Sequence, residues 1–143
     1  MAVLGCCSGS LPALLGHLSA MTIMLAHNNS ISGVLSGLSG LTSLGVFSLL
    51  SNEISGSLPK SLASVTSVYT LLLGDNKLSG TLDKQLSQLD RLHYLDISSN
   101  DLSGSSSPEF ARWKMLRLVS HCLSAAARLL LRCVGSCRCS STR

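Results

Sequence analysis

Four asparagines, Asn29, Asn52, Asn76 and Asn100, stand 23, 24 and 24 residues apart, and this interval constrains the rest of the chain. A glycine follows each by four positions, at Gly33, Gly56, Gly80 and Gly104, with Ile31, Ile54, Leu78 and Leu102 between. Apolar residues upstream keep the same phase. One unit reads Leu38, Leu41, Leu44, Phe47, Leu49, Asn52; the next Leu62, Val65, Val68, Leu71, Leu73, Asn76; the next Leu86, Leu89, Leu92, Leu95, Ile97, Asn100. A looser one precedes them: Leu15, Leu18, Met21, Met24, Ala26, Asn29. A unit of about two dozen residues cannot bury its leucines alone, so the units must stack. Each is expected to form a short strand, a turn and a loose return. Alternation within the strand puts Leu71 and Leu73 in the core and Thr70, Leu72 and Gly74 outside. An Asn amide carries donors and an acceptor, so it can satisfy backbone groups stranded where the strand ends. The glycine permits a left-handed or closely packed backbone. Both sets of residues are therefore read as structural.

The full pattern, L-x-x-L-x-x-L-x-x-L-x-L-x-x-N-x-L-S-G-x-L-P, resembles the leucine-rich repeat family, and its ending is similar to the plant-type subclass. Ser8-Gly-Ser-Leu-Pro12 recurs verbatim as Ser55-Gly-Ser-Leu-Pro59. Pro108-Glu-Phe-Ala-Arg-Trp113 also resembles the repeats of trypanosomatid surface antigens. The resemblance implies an α/β solenoid, a right-handed superhelix of short parallel strands with a second short strand in each L-x-G-x-L-P segment. It covers a partial repeat at 1–14 and four repeats at 15–37, 38–61, 62–85 and 86–109. The family's Cys-containing N-terminal cap has no counterpart here, so a partial member is expected. It also implies an extracellular or cell-surface setting, although neither a signal peptide nor an apolar stretch of roughly 20 residues is present. Asn28-Asn29-Ser30 is a glycosylation sequon with Asn28 as acceptor.

Composition narrows the function classes. Leucine occurs 30 times and serine 28 times, while aromatic residues make up 3% and charged residues 13% of the chain. That much leucine with so little charge excludes full disorder. No cofactor loop, kinase signature or zinc-protease motif is present. His93 and Asp96 share one strand segment without a nucleophile in a strained turn, so a non-catalytic protein is expected. Specificity must then sit on strand residues free of packing duty. The columns Ile23, Val46, Thr70, Tyr94 and Leu25, Ser48, Leu72, Asp96 lie on the concave face, flanked by Thr22, Gly45, Tyr69, His93. Tyr69, Asp75, His93, Tyr94 and Asp96 form the candidate contact cluster for a protein or peptide ligand. Tyrosine suits such a role because it offers large contact area at low entropic cost.

The end of the chain differs. Residues 1–52 carry no charged side chain, residues 1–109 sum to −3, and residues 110–143 sum to +7. Phe110, Trp113, Leu116 and Val119 fit the start of a fifth repeat, but Ser124 stands where the next Asn belongs. A helical period takes over from about 112 to 134. Arg117, His121, Ser124, Arg128 and Arg132 lie on one face, and Val119, Leu123, Ala126, Leu130 and Val134 on the other. Residues 110–143 are thus expected to hold a degenerate repeat and a basic amphipathic α-helix with a Cys-rich tail. The helix would cap the solenoid or attach it to a membrane surface. A short basic run with one aromatic does not suit nucleic acid. The spacings of Cys122, Cys133, Cys137 and Cys139 do not match a zinc site, so no metal is expected. The alternatives to a recognition module are therefore a membrane-surface protein acting through residues 112–134, or a fragment of a receptor-like kinase or surface antigen.

Overall fold

The repeat produces two strands per unit, on two separate sheets. The computed structural model describes residues 1–3, 5–103, 108–113 and 118–119. In chain order the strands are β1 (Ala2–Val3), β2 (Ser8–Ser10), β3 (Ile23–Leu25), β4 (Ser30–Val34), β5 (Val46–Ser48), β6 (Glu53–Gly56), β7 (Thr70–Leu72), β8 (Lys77–Thr81), β9 (Tyr94–Asp96), β10 (Asp101–Ser103) and β11 (Leu118–Val119). The odd-numbered strands form a six-stranded sheet in the order β1-β3-β5-β7-β9-β11. The even-numbered ones form a five-stranded sheet in the order β10-β8-β6-β4-β2. Every pairing is parallel, and the first sheet keeps the sequence period: Val46 pairs with Thr70 and Thr70 with Tyr94. The chain is a leucine-rich repeat solenoid. Its second sheet answers the expectation that the L-x-G-x-L-P segment is itself extended.

The return segments are not loose. Ala13–His17, Lys60–Ser64, Lys84–Gln88 and Pro108–Arg112 are 3₁₀-helices, and no α-helix occurs among the described residues. Pro12 and Pro59 precede two of them with φ already near the proline value, and Asp83 precedes a third, its carboxylate accepting from Gln85 N at 2.8 Å. Short 3₁₀ turns advance the chain quickly across the outer side, which suits a unit only two dozen residues long.

The apolar columns meet inside. Leu38, Leu62, Leu86 and Phe110 are buried, as are Leu41, Val65, Leu89 and Trp113, and Phe47, Leu71 and Leu95. The Phe110 and Trp113 rings lie 4.7 Å apart between centroids, so the fifth unit enters the core as its phase requires. Leu118–Val119 then pairs with Tyr94–Leu95. Strand therefore replaces helix at two residues of the stretch expected to be helical from 112. Residues 114–117 and 120–134 of that stretch, the Cys-rich tail and Gly104 lie outside the described residues. Leu18 also departs from expectation. It is 48% exposed where its counterpart Leu41 is fully buried, because the described residues stacked on its side, 1–3 and 5–12, bring no 3₁₀ segment to cover it.

Each asparagine bonds to backbone and bridges two coils. The Oδ1 atoms of Asn29, Asn52, Asn76 and Asn100 accept from Cys7 N, Ile31 N, Ile54 N and Leu78 N of the preceding coil at 2.6, 3.0, 2.9 and 2.8 Å. Asn76 Nδ2 donates back to Leu49 O of that coil at 2.8 Å and to Leu73 O and Gly74 O of its own. Asn52 and Asn100 repeat this arrangement through Ala26 O and Leu73 O. The residue before each ladder asparagine is left-handed, Asn28, Ser51, Asp75 and Ser99 having φ between 49° and 56°, and Cys6, before Cys7, has φ 55°. Gly33, Gly56 and Gly80 have φ of 83°, 77° and 81°. At Gly56 a Cβ would also lie 2.9 Å from Val34 Cγ1, so conformation and space both call for glycine.

Asn76→Ala takes the acceptor from Ile54 N and one of the two donors from Leu49 O, which keeps Asn52 Nδ2 at 3.0 Å. It should lower the unfolding free energy of the full chain by about 3 kcal/mol in urea denaturation. Lys77→Ala removes an exposed 2.9 Å pair with Glu53 and should cost about 0.5 kcal/mol or less.

Candidate functional site

Parallel strands that start in register place the residues before them along one edge of the six-stranded sheet. Thr22, Gly45, Tyr69 and His93 immediately precede β3, β5, β7 and β9. Shared carbonyls hold this edge. Gly45 O accepts from Tyr69 N at 2.9 Å and Thr70 N at 3.1 Å; Tyr69 O accepts from His93 N at 2.9 Å and Tyr94 N at 3.0 Å. The tyrosine side chains stand clear of the sheet, Tyr69 44% and Tyr94 41% exposed. The Tyr69 ring lies over Gly45, where a Cβ would sit 2.5 Å from Cε1. His93 Nδ1 is 2.6 Å from Arg91 O, which fixes the imidazole against its own strand entry. An Nδ1–H donates in that contact, leaving Nε2 as the free ring nitrogen.

These side chains border an open groove of about 560 Å³ that crosses four rungs, from Thr22 and Ile23 to Arg91, His93 and Tyr94. Its lining is mainly apolar, with Arg91 its one guanidinium. Tyr69, His93 and Tyr94 are thus brought together as the sequence cluster has them.

The two aspartates are not part of that groove. Asp75 is exposed but follows β7, six residues beyond Tyr69 and up to about 20 Å across the sheet. Asp96 is only 9% exposed. Its Oδ1 accepts from Ser98 Oγ at 2.6 Å and Ser98 N at 3.0 Å. The carboxylate occupies the space over Gly74, where a Cβ would meet Oδ1 at 2.7 Å. Gly74 is itself buried, and Leu72 is half-buried. Ser67 and Arg91, which line the groove, were not among the sequence candidates. Their 24-residue spacing with Ser43 was the signal that could have found them.

Asn28 is exposed at the far edge, beyond the end of β3, while Asn29 is tied into the ladder. Cys6 and Cys7 are free thiols. Among the described residues no group of three or more His, Cys, Asp or Glu could hold a metal ion. No helix among them is long and apolar enough to cross a membrane.

Gly45→Val forces the Tyr69 ring off its seat. The ring-proton NMR signals of Tyr69 should shift and those of Tyr94 should move much less, while the folded signal dispersion is retained.

Comparison with known proteins follows the same geometry. The Leucine Rich Repeat family model matches residues 91–113. No curated protein sequence matches the chain. Among solved structures, the ectodomain of the Arabidopsis receptor kinase HAESA, in complex with the peptide hormone IDA and the co-receptor SERK1, is 26% identical. It superposes with a TM-score of 0.77 over 83% of this chain and 21% of its own. The ectodomain of the Arabidopsis thaliana receptor kinase SOBIR1 is 27% identical, with a TM-score of 0.73 over 78% of this chain and 61% of its own. The BIR3–SERK2 complex from Arabidopsis thaliana gives 34% identity and a TM-score of 0.64 over 73% of this chain and 57% of the matched chain. This chain therefore spans between about a fifth and three fifths of these structures. The repeat spacing, the two parallel sheets, the asparagine ladder and these matches together make the chain a leucine-rich repeat protein with the plant-type signature.

Proposed function

We propose that the chain is a non-catalytic recognition module that binds a protein or peptide along the groove of Tyr69, His93 and Tyr94. One observation carries this reading: two tyrosine rings stand out of an otherwise closely packed sheet, in one open groove of about 560 Å³. Half-exposed aromatic side chains backed by a rigid scaffold act as anchors, because ordering them on binding costs little entropy. The shared Gly45 and Tyr69 carbonyls supply that backing. Arg91 and His93 add polar contacts at one end, and Ile23 gives the other end an apolar wall. HAESA, which shares the fold, was solved with a peptide hormone bound.

Asp96 has a structural role in this reading, and Asp75 stands apart from the binding edge. The test is to pan a random linear peptide library on the immobilised full chain and titrate the selected peptides. Tyr69→Ala and Tyr94→Ala should each weaken binding by roughly 30-fold, and Asp75→Ala should leave it unchanged. Undiminished binding to the double tyrosine variant would overturn the proposal.

A further inference from the structure

We infer that the flank beside the tyrosine groove is a second site, for a linear, β-1,4-linked neutral oligosaccharide. A separate cavity of about 360 Å³ lies there, lined by Thr42, Thr66, Ser67, Gln88, Asp90 and Arg91. It shares only Ser67 and Arg91 with the groove, so those two form the ridge between them.

The chemistry of the lining selects the ligand. Three hydroxyls, a carboxamide, a carboxylate and a guanidinium meet, with no leucine, valine or ring among them. All except Ser67 are exposed residues, and Ser67 Oγ already donates to Leu44 O at 2.8 Å. The ion pairs among the described residues are Lys60–Asp83 and Lys77–Glu53, so Asp90 and Arg91 carry none there. A ligand gains in such a cavity only by replacing water hydrogen bonds one for one, and so it must be dense in hydroxyls. Planar side chains such as those of Gln88, Asp90 and Arg91 can each bond two neighbouring hydroxyls at once. The carboxylate beside the guanidinium favours a neutral chain over an acidic one.

The spacing selects its form. Thr42, Thr66 and Asp90 recur one rung apart, as do Ser43, Ser67 and Arg91, and the strands that follow them pair in register. Rungs of a parallel sheet repeat at about 4.8 Å, whereas an extended peptide repeats its facing side chains at about 6.6 Å and falls out of step. A flat β-1,4-linked pyranose chain advances by close to one rung per sugar, so each ring can face one rung, with alternate rings turned over.

The site does not depend on peptide binding in the groove, because Thr66 and Asp90 line the flank and not the groove. The full chain is titrated with a β-1,4-linked glucose hexamer and with its α-1,4-linked counterpart, which coils and cannot keep step with the rungs. The β-linked hexamer should bind, and the α-linked one at least about tenfold more weakly. Thr66→Val and Asp90→Asn should each weaken the β-linked hexamer by about tenfold, the effect of losing one or two hydrogen bonds. Thermal unfolding and the affinity of peptides selected on the groove should stay unchanged. No binding of the β-linked hexamer, equal binding of both, or indifference to both substitutions would overturn the inference. Loss of a selected peptide's affinity on Asp90→Asn would also overturn it, and would assign the flank to that peptide.

Discussion

No coil of this protein can hide its own leucines. Burial is shared between neighbours, and each apolar column is covered only when the next coil lies on it in register. Leu41, Val65, Leu89 and Trp113 are almost wholly enclosed for this reason, and Leu18, with less stacked against it, is not. The same constraint makes the surface informative. A position committed to a core column has no freedom to vary, so chemistry can accumulate only at the strand entries and along the flank. Tyr69, Arg91 and His93 stand there.

Stacking alone would leave backbone groups unpaired where each strand turns toward the second sheet. The asparagine ladder supplies those partners and also holds a costly conformation in place. Ser51 and Ser99 adopt left-handed backbone although serine has no preference for it. Each lies immediately before a side chain bonded to two coils, and Ser51 N bonds to Gly74 O at 3.0 Å. The turn is held from both sides, so an unfavourable residue is tolerated.

Repeat unit, sheet direction, core columns and the part played by the asparagines were legible in the sequence, because a fixed period forces equivalent positions into equivalent places. Several features were not. A list of polar residues along one strand does not show that Tyr69 and Asp75 sit on opposite edges of the sheet. Nor does it show that Asp96 turns onto the bare backbone of Gly74 and is enclosed, although that pairing of a small residue with a carboxylate one rung on was there to be read. The left-handed turns at Ser51 and Ser99 have no local signature. The return segments gave no helical period because five-residue 3₁₀ turns are too short to show one. After residue 109, two periods overlap in the sequence. The structure follows the longer one at Phe110, Trp113 and Leu118–Val119, where β11 pairs with β9.

The ladder also has a direction. Asn52 belongs to one coil and fastens the coil before it, as Asn76 and Asn100 do in turn. During synthesis, therefore, a newly emerged coil has its leucines and both strands but not its latch, which is carried by a stretch of chain still to be translated. Locking would trail elongation by one unit, and a ribosome pausing between Asn52 and Asn76 would hold a nascent chain whose last visible coil is still open.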